Sequence, residues 1–249
     1  MDTTVNLQPI GTIASCFKQK FGTPRQPGLV TAAQGRLRLL PAFSDAEVVR
    51  GLEGFSHIWL IFLFHQTLGT QWKPTVRPPR LGGNDRLGVF ATRSMFRPNP
   101  LGLSVVRLEG IQQTGGCVEL LLSGLDLVDG TPVVDIKPYL GYADAIMDAQ
   151  SGFAATAPEP QYTVNFSPKA ADQCRMKSVQ WGADIASLLS QILEQDPRPA
   201  YRSGREDSRH YGLLLYDFDV RWCVSLSGIE VLELVDCPAD FTSTPSNPT

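Results

Sequence analysis

The chain has 249 residues and a mass of 27.3 kDa, which is the size of one or two ordinary domains. Hydrophobic residues make up 43% and charged residues 19% of the chain, and its mean hydropathy is −0.07. This composition excludes a disordered or collagen-like chain. The longest apolar run, residues 58–64, is too short to span a membrane, and residues 1–11 lack the basic flank and apolar core of a signal peptide. We therefore predict no membrane association.

The cysteines and histidines argue against a metal site. The five cysteines are odd in number and none has CxxC spacing, and none of the three histidines is paired at the spacing of metal ligands. The cysteine usage also favours a reducing compartment, so we predict a cytoplasmic protein. These cysteines are Cys16, Cys117, Cys174, Cys223 and Cys237.

The net charge of −3 and the isoelectric point of 5.6 speak against nucleic acid as a partner. The charge is unevenly distributed, however. Residues 73–107 contain seven basic residues and one acidic residue, a net charge of +6, which leaves −9 for the rest of the chain. We call residues 73–107 the basic segment, and its charge predicts affinity for anions.

The first half of the chain has short strand patterns separated by turns. Residues 5–17 and 56–65 are predicted to be strands, the second buried on both faces because it is continuously apolar. Residues 18–28 form a predicted loop, and a capping-box pattern predicts a short helix at 45–51. Residues 86–93 alternate as a strand does.

The strand patterns continue to residue 138. Residues 103–111 and 118–122 form a predicted hairpin that turns at Gly115-Gly116, and residues 133–138 form another strand. The intervening loop, residues 124–132, carries Asp126 and Asp129. The patterns predict a mainly β domain over residues 1–144, either a barrel or a sandwich.

The composition changes after this domain. Residues 145–168 are predicted to be a linker because its first part is rich in Ala, Ser, Gly and Pro. Residues 185–193 carry apolar side chains at helical spacing, and we expect Pro197 to end that helix. Strands are predicted at 211–226 and 229–235, so residues 169–249 form a predicted small α+β domain.

Short motifs of several common enzyme classes are absent. The sequence contains no GxGxxG before a helix, no GxxxxGK[ST], no GxSxG and no HExxH. Gly82-Gly83 is a turn or a phosphate-binding loop, and Arg93 and Arg97 read as solvated or phosphate-facing side chains. We interpret His65 as the residue that caps a strand, and Asp126 and Asp129 as acceptors for N–H groups of their turn. The residues alone therefore define no reaction.

Six longer runs together resemble a known family. They are PRQPGLV at 24–30, GLEGFSHIWLIFLFHQ at 51–66, RPPRLGG at 77–83, GVFATRSMFRPNPLGLS at 88–104, LDLVDGTPVVDIKPY at 125–139 and QDPRPAYR at 195–202. In this order they are similar to the TrmO (TsaA-like) family of tRNA methyltransferases. The resemblance covers nearly the whole chain except the linker and the C-terminus.

The resemblance implies a non-Rossmann, antiparallel β-barrel enzyme that acts as a homodimer. Its expected reaction is transfer of a methyl group from S-adenosylmethionine to N6 of N6-threonylcarbamoyladenosine at position 37 of tRNA. The expected cofactor-binding residues are Pro24, Arg25, Gln26, His65, Gln66, Arg93, Leu103, Asp126, Leu127, Val128 and Asp129. Arg25 and Arg93 suit the methionyl carboxylate, and Asp126 or Asp129 suits the ribose hydroxyls or the methionyl ammonium.

The resemblance assigns no catalytic base. It places the modified nucleoside near residues 196–202, where Arg198 is expected to pair with the threonyl carboxylate and Tyr201 to stack on a base of the anticodon loop. Two other functions stay open: a non-catalytic RNA-binding barrel, and an S-adenosylmethionine-dependent enzyme with a small-molecule acceptor.

Overall fold

The computed structural model describes residues 4–199, 207–225 and 227–238. The strands in these ranges are β1 (Gly11–Ser15), β2 (Gln34–Leu39), β3 (His57–Leu63), β4 (Thr75–Val76), β5 (Leu87–Gly88), β6 (Leu101–Thr114), β7 (Cys117–Ser123), β8 (Pro132–Pro138), β9 (Val164–Phe166), β10 (Asp207–Leu215), β11 (Phe218–Ser225) and β12 (Gly228–Asp236). The helices are α1 (Gly141–Asp144), α2 (Pro168–Trp181) and α3 (Ile185–Leu193).

Six strands of the first half close into a barrel in the order β1-β2-β7-β6-β3-β8. Each neighbouring pair is antiparallel, and β8 returns to β1 through the pair Gly11 and Val133. Alternate side chains point inwards and fill the barrel with aliphatic groups that are at most 1% exposed. These include Ile13, Leu37, Ile58, Leu60, Leu120 and Leu122. The prediction of a mainly β fold with an antiparallel barrel is confirmed.

β3 confirms the strand predicted at 56–65 but not its burial on both faces. Ile58, Leu60 and Phe62 are buried inside the barrel, whereas the residues between them are partly exposed. The continuous apolar run arises because the outer face carries ring contacts of its own, such as Trp59 on Tyr139.

The hairpin predicted across Gly115-Gly116 is present as β6 and β7. Both glycines have positive φ angles, 60° and 81°, which a two-residue hairpin turn requires and which glycine adopts without steric cost. β6 is longer than predicted, since its 14 residues begin at Leu101 and end at Thr114.

Three predicted elements of this half are wrong in extent or type. Only Gly11–Ser15 of residues 5–17 is a strand. The helix predicted at 45–51 is a 3₁₀ turn at Ala46–Val49, in which Asp45 accepts from the N–H of Glu47 at 2.9 Å. The strand predicted at 86–93 is replaced by the two-residue strand β5 and a 3₁₀ turn, because prolines surround this exposed segment.

The second half forms a sheet in the order β10-β11-β12-β9, with β9 parallel to β12. α3 coincides with the helix predicted at 185–193. Two elements were not predicted. β9 lies within the predicted linker 145–168, and α2 buries only Ala170 and Cys174, so its apolar periodicity is too weak to identify a helix.

The strand predicted at 211–226 is two strands, β10 and β11, joined by a turn at Tyr216-Asp217. Tyr216 has a φ of 48°, a left-handed conformation that is uncommon for a tyrosine. The turn contains neither glycine nor proline, and a single aspartate is a weak turn signal.

The connection after β1 packs against the second sheet. Phe17 is 1% exposed and forms a β-bridge with Leu215, and the N–H of Tyr216 donates to the carbonyl of Cys16 at 2.9 Å. Val30 and Ala33 belong to the same apolar core as α3 and β10–β12. Residues 16–33 are thus held between barrel and sheet. Over the described ranges, no helix combines the length and apolarity that crossing a membrane requires.

Candidate functional site

Three connections of the barrel emerge at the same end. The strand pairs there are Ser15 with Gly35, Leu63 with Leu101 and Gln34 with Ser123. We call this end, with the connections 16–33, 64–100 and 124–131, the barrel mouth. The expected cofactor residues divide among these connections: Pro24, Arg25 and Gln26 in the first, His65, Gln66 and Arg93 in the second, and Asp126, Leu127, Val128 and Asp129 in the third.

Hydrogen bonds join the three connections. The N–H of Gly28 donates to the carbonyl of Gly124 at 3.0 Å, which ties the first connection to the third. The guanidinium of Arg93 donates to the side-chain oxygen of Gln26, which ties the second to the first. The amide of Gln26 in turn donates to the carbonyl of Arg25 at 2.6 Å. Residues that are 67 or more positions apart in the chain thus form one cluster.

Asp126 supplies the carboxylate of this cluster. Ser104, which is 2% exposed and points into the barrel from β6, donates to its Oδ1 at 2.8 Å. Burial raises the pKa of Asp126 from its ordinary value of 3.8 to about 6, while Ser104 and the positive charge of Arg93 oppose the increase. Ser104 was not predicted, although a hydroxyl at an inward position of an otherwise apolar strand is a signal that can be found in the sequence.

Asp129 is bound by groups of the protein itself. Its Oδ1 accepts from the N–H of Ser15 at 2.9 Å, and its Oδ2 accepts from Lys18 at 2.8 Å. Its own N–H donates to the carbonyl of Phe17 at 2.8 Å. Asp129 thus accepts a backbone N–H, as predicted, and also binds Lys18.

Leu127 and Val128 lie between the two aspartates. The carbonyl of Leu127 accepts from the hydroxyl of Ser15 at 2.8 Å, and the carbonyl of Val128 accepts from the hydroxyl of Thr131 at 2.6 Å. The segment is therefore a fixed length of backbone and not a loose loop.

His65 begins a 3₁₀ turn directly after β3. Its pKa lies below its ordinary value because of burial and, secondarily, the positive charge of Lys20, with Asp129 acting in the opposite direction. Its imidazole is therefore neutral at pH 7 and accepts a hydrogen bond or a proton at one ring nitrogen. Lys20, which was not predicted, also has a pKa lowered by burial.

Arg97 and Arg107 bind other groups of the protein, and Gly82-Gly83 is a turn. One guanidinium nitrogen of Arg97, Nη1, donates to the carbonyls of Thr92 and Ser94 at 3.2 and 3.1 Å, so Arg97 helps to shape its own loop while its side chain stays partly exposed. Arg107 pairs with Glu109 at 3.2 Å. Gly82-Gly83 forms a turn in which both φ angles are positive. The pair with Glu109 offsets one positive charge of the basic segment, whereas bonds to neutral carbonyls leave the charge of Arg97 in place.

The remaining expected residues have side chains on the outer face of the barrel, are buried beyond α3 or lie outside the described ranges. The side chain of Leu103 is 52% exposed on the outer face of β6, opposite in direction to Ser104. Arg198 is 1% exposed, and its guanidinium binds Asp196 at 2.7 and 2.9 Å and the hydroxyl of Tyr162 at 2.9 Å. Pairing of Arg198 with a substrate carboxylate stays a prediction, and in this structure its charge is paired with that of Asp196 inside the fold. Tyr201 lies outside the described residues.

No group of three or more histidine, cysteine, aspartate or glutamate side chains in the described part of the chain is placed to hold a metal ion. A cavity of about 750 Å³ between α2 and α3 contains none of the expected site residues. The barrel mouth is therefore the candidate site. The mouth combines a carboxylate, an arginine and a neutral imidazole with fixed backbone. These groups suit a small ligand that carries a positive charge, a negative charge and a heterocycle. The fold and the site thus define a ligand-binding barrel without Rossmann topology.

Comparison with known proteins identifies the barrel. The family model described as the tRNA-methyltransferase O N-terminal domain matches residues 12–145, and the model of the TrmO C-terminal domain matches residues 159–237. The chain therefore belongs to the TrmO family of tRNA methyltransferases, which confirms the resemblance and the prediction of a methyltransferase.

Individual relatives agree with this assignment. The tRNA (adenine(37)-N6)-methyltransferase of Escherichia coli K12 is 49% identical over 93% of this chain and 98% of its own length. A Pseudomonas aeruginosa protein, provisionally named S-adenosylmethionine-dependent methyltransferase RcsF, is 52% identical over 88% of this chain and 92% of its own. The crystal structure of TrmO from Pseudomonas aeruginosa has a TM-score of 0.78 and 46% identity, covering 94% of this chain and 99% of that one.

Proposed function

We propose that this protein transfers the methyl group of S-adenosylmethionine to N6 of N6-threonylcarbamoyladenosine at position 37 of tRNA, giving N6-methyl-N6-threonylcarbamoyladenosine. The observation that carries the proposal is the joining of three separate segments at one barrel mouth, where Asp126 and Arg93 present opposite charges. The name of the Escherichia coli relative supports tRNA adenine 37 as the acceptor, and the name of the Pseudomonas relative supports the methyl donor.

The donor set of the mouth fits this cofactor. S-adenosylmethionine carries an ammonium, a carboxylate, a ribose diol and a sulfonium whose methyl group is the one transferred. We assign the ammonium or the ribose diol to Asp126, whose buried carboxylate gains from a cationic or hydrogen-donating partner. Arg93 and Arg25, both exposed at the mouth, are assigned to the carboxylate, which an arginine binds with two parallel hydrogen bonds.

The adenine of the cofactor is assigned to the backbone between the two aspartates. Since the carbonyls of Leu127 and Val128 already accept bonds from Ser15 and Thr131, we assign their N–H groups to the ring nitrogens. Asp129 holds this backbone through Ser15 and Lys18. Asp129 thus acts on the cofactor indirectly, and Asp126 acts on it directly.

The chemical step depends mainly on the alignment of the nucleophile with the methyl group. An in-line displacement at a methyl group gains most from holding nucleophile and methyl group together, which contributes up to about 7–11 kcal/mol in favourable cases. The N6 lone pair is delocalised into the ureido carbonyl, so loss of the N6 proton accompanies or follows the displacement. The neutral imidazole of His65 lies at the mouth in the state that accepts a proton. Removal of a proton by such a group typically contributes about 10²–10⁴-fold to the rate.

The tRNA is expected along the basic segment. Lys73 and Arg77 are exposed, and each adds a positive charge that attracts the phosphate backbone. We keep Tyr201 as a residue proposed to stack on a base of the anticodon loop. The role of Arg198 becomes one of positioning, since its pair with Asp196 holds the chain just before residue 200.

We also propose a homodimer in the cytoplasm. Tyr142, Ile146 and Met147, in the segment after the barrel, are 89%, 67% and 94% exposed, and large apolar groups clustered in this way are typical of an interface. Light scattering coupled to gel filtration tests this assembly. We expect the mass of two chains for the wild type and a shift toward one chain when Ile146 and Met147 are replaced by serine.

Binding and activity measurements together separate this function from the two alternatives. A non-catalytic RNA-binding barrel binds RNA in a salt-sensitive way but has no affinity for S-adenosylmethionine. A small-molecule methyltransferase binds S-adenosylmethionine but not tRNA. Our proposal requires both affinities and methyl transfer to tRNA that carries threonylcarbamoyladenosine, with unmodified tRNA as the control. Absence of transfer to the modified tRNA would overturn it.

A further inference from the structure

A cavity of about 300 Å³ lies beside the barrel mouth in the second connection. One wall is residues 67–72, and the other is residues 95–98 with Pro100. We call it the Trp72 pocket. Both walls continue directly from expected site residues, since Thr67 is two residues after His65 and Met95 is two residues after Arg93. Two residues of extended chain span at most about 7 Å, so the pocket begins next to the cofactor site.

The walls of the Trp72 pocket are held together. The N–H of Lys73 donates to the carbonyl of Phe96 at 3.1 Å, and the ammonium of Lys73 lies 4.6 Å from the centre of the Phe96 ring. Arg97 is fixed by its two bonds to backbone carbonyls. The pocket is therefore formed in the protein as it stands, and a ligand need not order it.

The chemistry of the lining combines a flat aromatic surface with positive charge. Trp72 lines the pocket and is 47% exposed, which is unusual for so large an apolar ring, and Met95 and Phe96 face it from the other wall. Proteins bind unpaired bases by stacking them on such rings beside basic groups that contact the backbone phosphates. The volume lies at the lower limit for ligand cavities, which suits one ring system and not a whole nucleotide.

We propose that the Trp72 pocket binds one unpaired nucleobase of the RNA substrate, adjacent in the strand to the nucleotide that is methylated, with that base stacked on Trp72. The proposal rests on the function proposed above, because it takes the methylated nucleotide to lie at the barrel mouth. Lys73, whose ammonium lies beside the Phe96 ring of one wall, supplies positive charge for a flanking phosphate. The pocket would thereby fix the register of the anticodon loop.

The first test is the affinity for a fluorescein-labelled anticodon stem-loop RNA at fixed salt, measured by fluorescence anisotropy. Trp72→Ala is expected to weaken binding about ten-fold, which is the usual scale for losing one stacked base. Trp72→Phe retains most of the affinity because it keeps an aromatic face. Phe90→Ala is the matched control, since Phe90 is 75% exposed in the same connection but does not line the pocket. Equal affinity of Trp72→Ala and wild type for this RNA would overturn the proposal.

The second test identifies the base. Two stem-loops each lack one base, on the 5′ or the 3′ side of the adenosine to be methylated. We expect one of the two RNAs to bind the wild type about ten-fold more weakly than the complete stem-loop does. Trp72→Ala should not weaken the binding of that RNA further, because removing the base and removing Trp72 abolish the same stacking contact. Additive losses for both RNAs would overturn the proposal.

These binding tests are independent of methyl transfer, so the proposal and the proposed function fail in different measurements. If the proposed function is wrong, the wild type transfers no methyl group to the modified tRNA, regardless of how the Trp72 variants bind RNA. Titration calorimetry with S-adenosylmethionine completes the set. Trp72→Ala is expected to bind the cofactor as the wild type does, and a weakening of the cofactor alone, with RNA binding intact, would assign the pocket to the cofactor and overturn the proposal.

Discussion

The hydroxyl of Ser104 donates a hydrogen bond to Oδ1 of Asp126 at 2.8 Å, across the 22 residues that separate an inward position of β6 from the loop after β7. This bond holds a carboxylate at the barrel mouth in a setting that raises its pKa to about 6. The carboxylate is therefore near its protonation midpoint just below neutral pH, where a bound cation alters its charge most.

The affinity for S-adenosylmethionine should depend on pH through Asp126. A cationic ligand favours the ionised carboxylate, so binding is expected to tighten as pH rises through about 6 and then to level off. Asp126→Asn should lose this pH dependence and, at neutral pH, bind about ten-fold or more weakly, since a charge-assisted hydrogen bond is removed. Titration calorimetry across this pH range measures both effects. The same pH dependence in the variant as in the wild type would show that Asp126 does not contact the cation.

The same residue should affect stability in the opposite direction. Its pKa is higher in the folded than in the unfolded chain, so the folded state binds more protons, and stability decreases as pH rises from about 4 to about 6. Asp126→Asn cannot ionise, so its folded state does not lose stability over this pH range, and its amide oxygen still accepts the hydrogen bond from Ser104. We expect the variant to be more stable than the wild type at neutral pH by about 1–3 kcal/mol, as measured by urea unfolding. Equal stability of the two proteins at neutral pH would contradict this.

Gly102 is required by the packing inside the barrel. A Cβ at this position would lie 2.1 Å from the ring of Phe62, which is 5% exposed and packs edge-on against Phe64. Gly102→Ala is expected to destabilise the fold by about 1–3 kcal/mol through overpacking. Gly110→Ala on the same strand is the control, because its nearest neighbour would be 3.8 Å away. Thermal unfolding compares the two, and adding Phe62→Leu to Gly102→Ala should restore part of the loss.

The buried pair of Asp196 and Arg198 should act through stability. Arg198→Ala leaves the carboxylate of Asp196, itself 3% exposed, without its partner, which typically costs about 3–5 kcal/mol. Replacing both residues together, Asp196→Asn with Arg198→Met, is expected to cost less than Arg198→Ala alone because no buried charge remains. A variant Arg198→Ala that unfolds like the wild type but has a raised KM for tRNA would instead support direct contact with the substrate.

The sequence predicted those elements whose residue pattern is enforced locally. The helix at 185–193 has apolar residues at every buried position, and the hairpin at Gly115-Gly116 has the glycines that its turn demands. The sequence did not predict α2, which buries little, or the turn at Tyr216-Asp217, which is held by contacts distant in the chain. Such elements depend on tertiary packing and not on local preference.

The site shows the same division. The runs that contain Arg25, Arg93 and Asp126 identified the family, and the resemblance implied that these residues share one site. The runs did not show which of the predicted side chains are already bound by other residues of the protein. Asp129 is bound by Ser15 and Lys18, and Arg198 by Asp196. Both facts depend on pairings that only the folded chain displays, and they are the reason why we propose positioning roles for these residues.

The charge distribution sets the expected RNA selectivity. The basic segment lies in a chain whose remainder has a net charge of −9, which should disfavour indiscriminate binding of phosphates. We accordingly expect weak binding of random RNA at physiological salt and tighter binding of the anticodon stem-loop. Equal affinity for both RNAs would contradict this reading of the charge.

The most direct test of the account is the fate of a labelled methyl group. S-adenosylmethionine with a deuterated methyl is incubated with the protein and tRNA that carries threonylcarbamoyladenosine, and the digested nucleosides are analysed by mass spectrometry. We expect the label on the N6 nitrogen of that nucleoside, slower labelling with Arg93→Ala, and no label on unmodified tRNA. Label on another nucleoside, or on none, would contradict it.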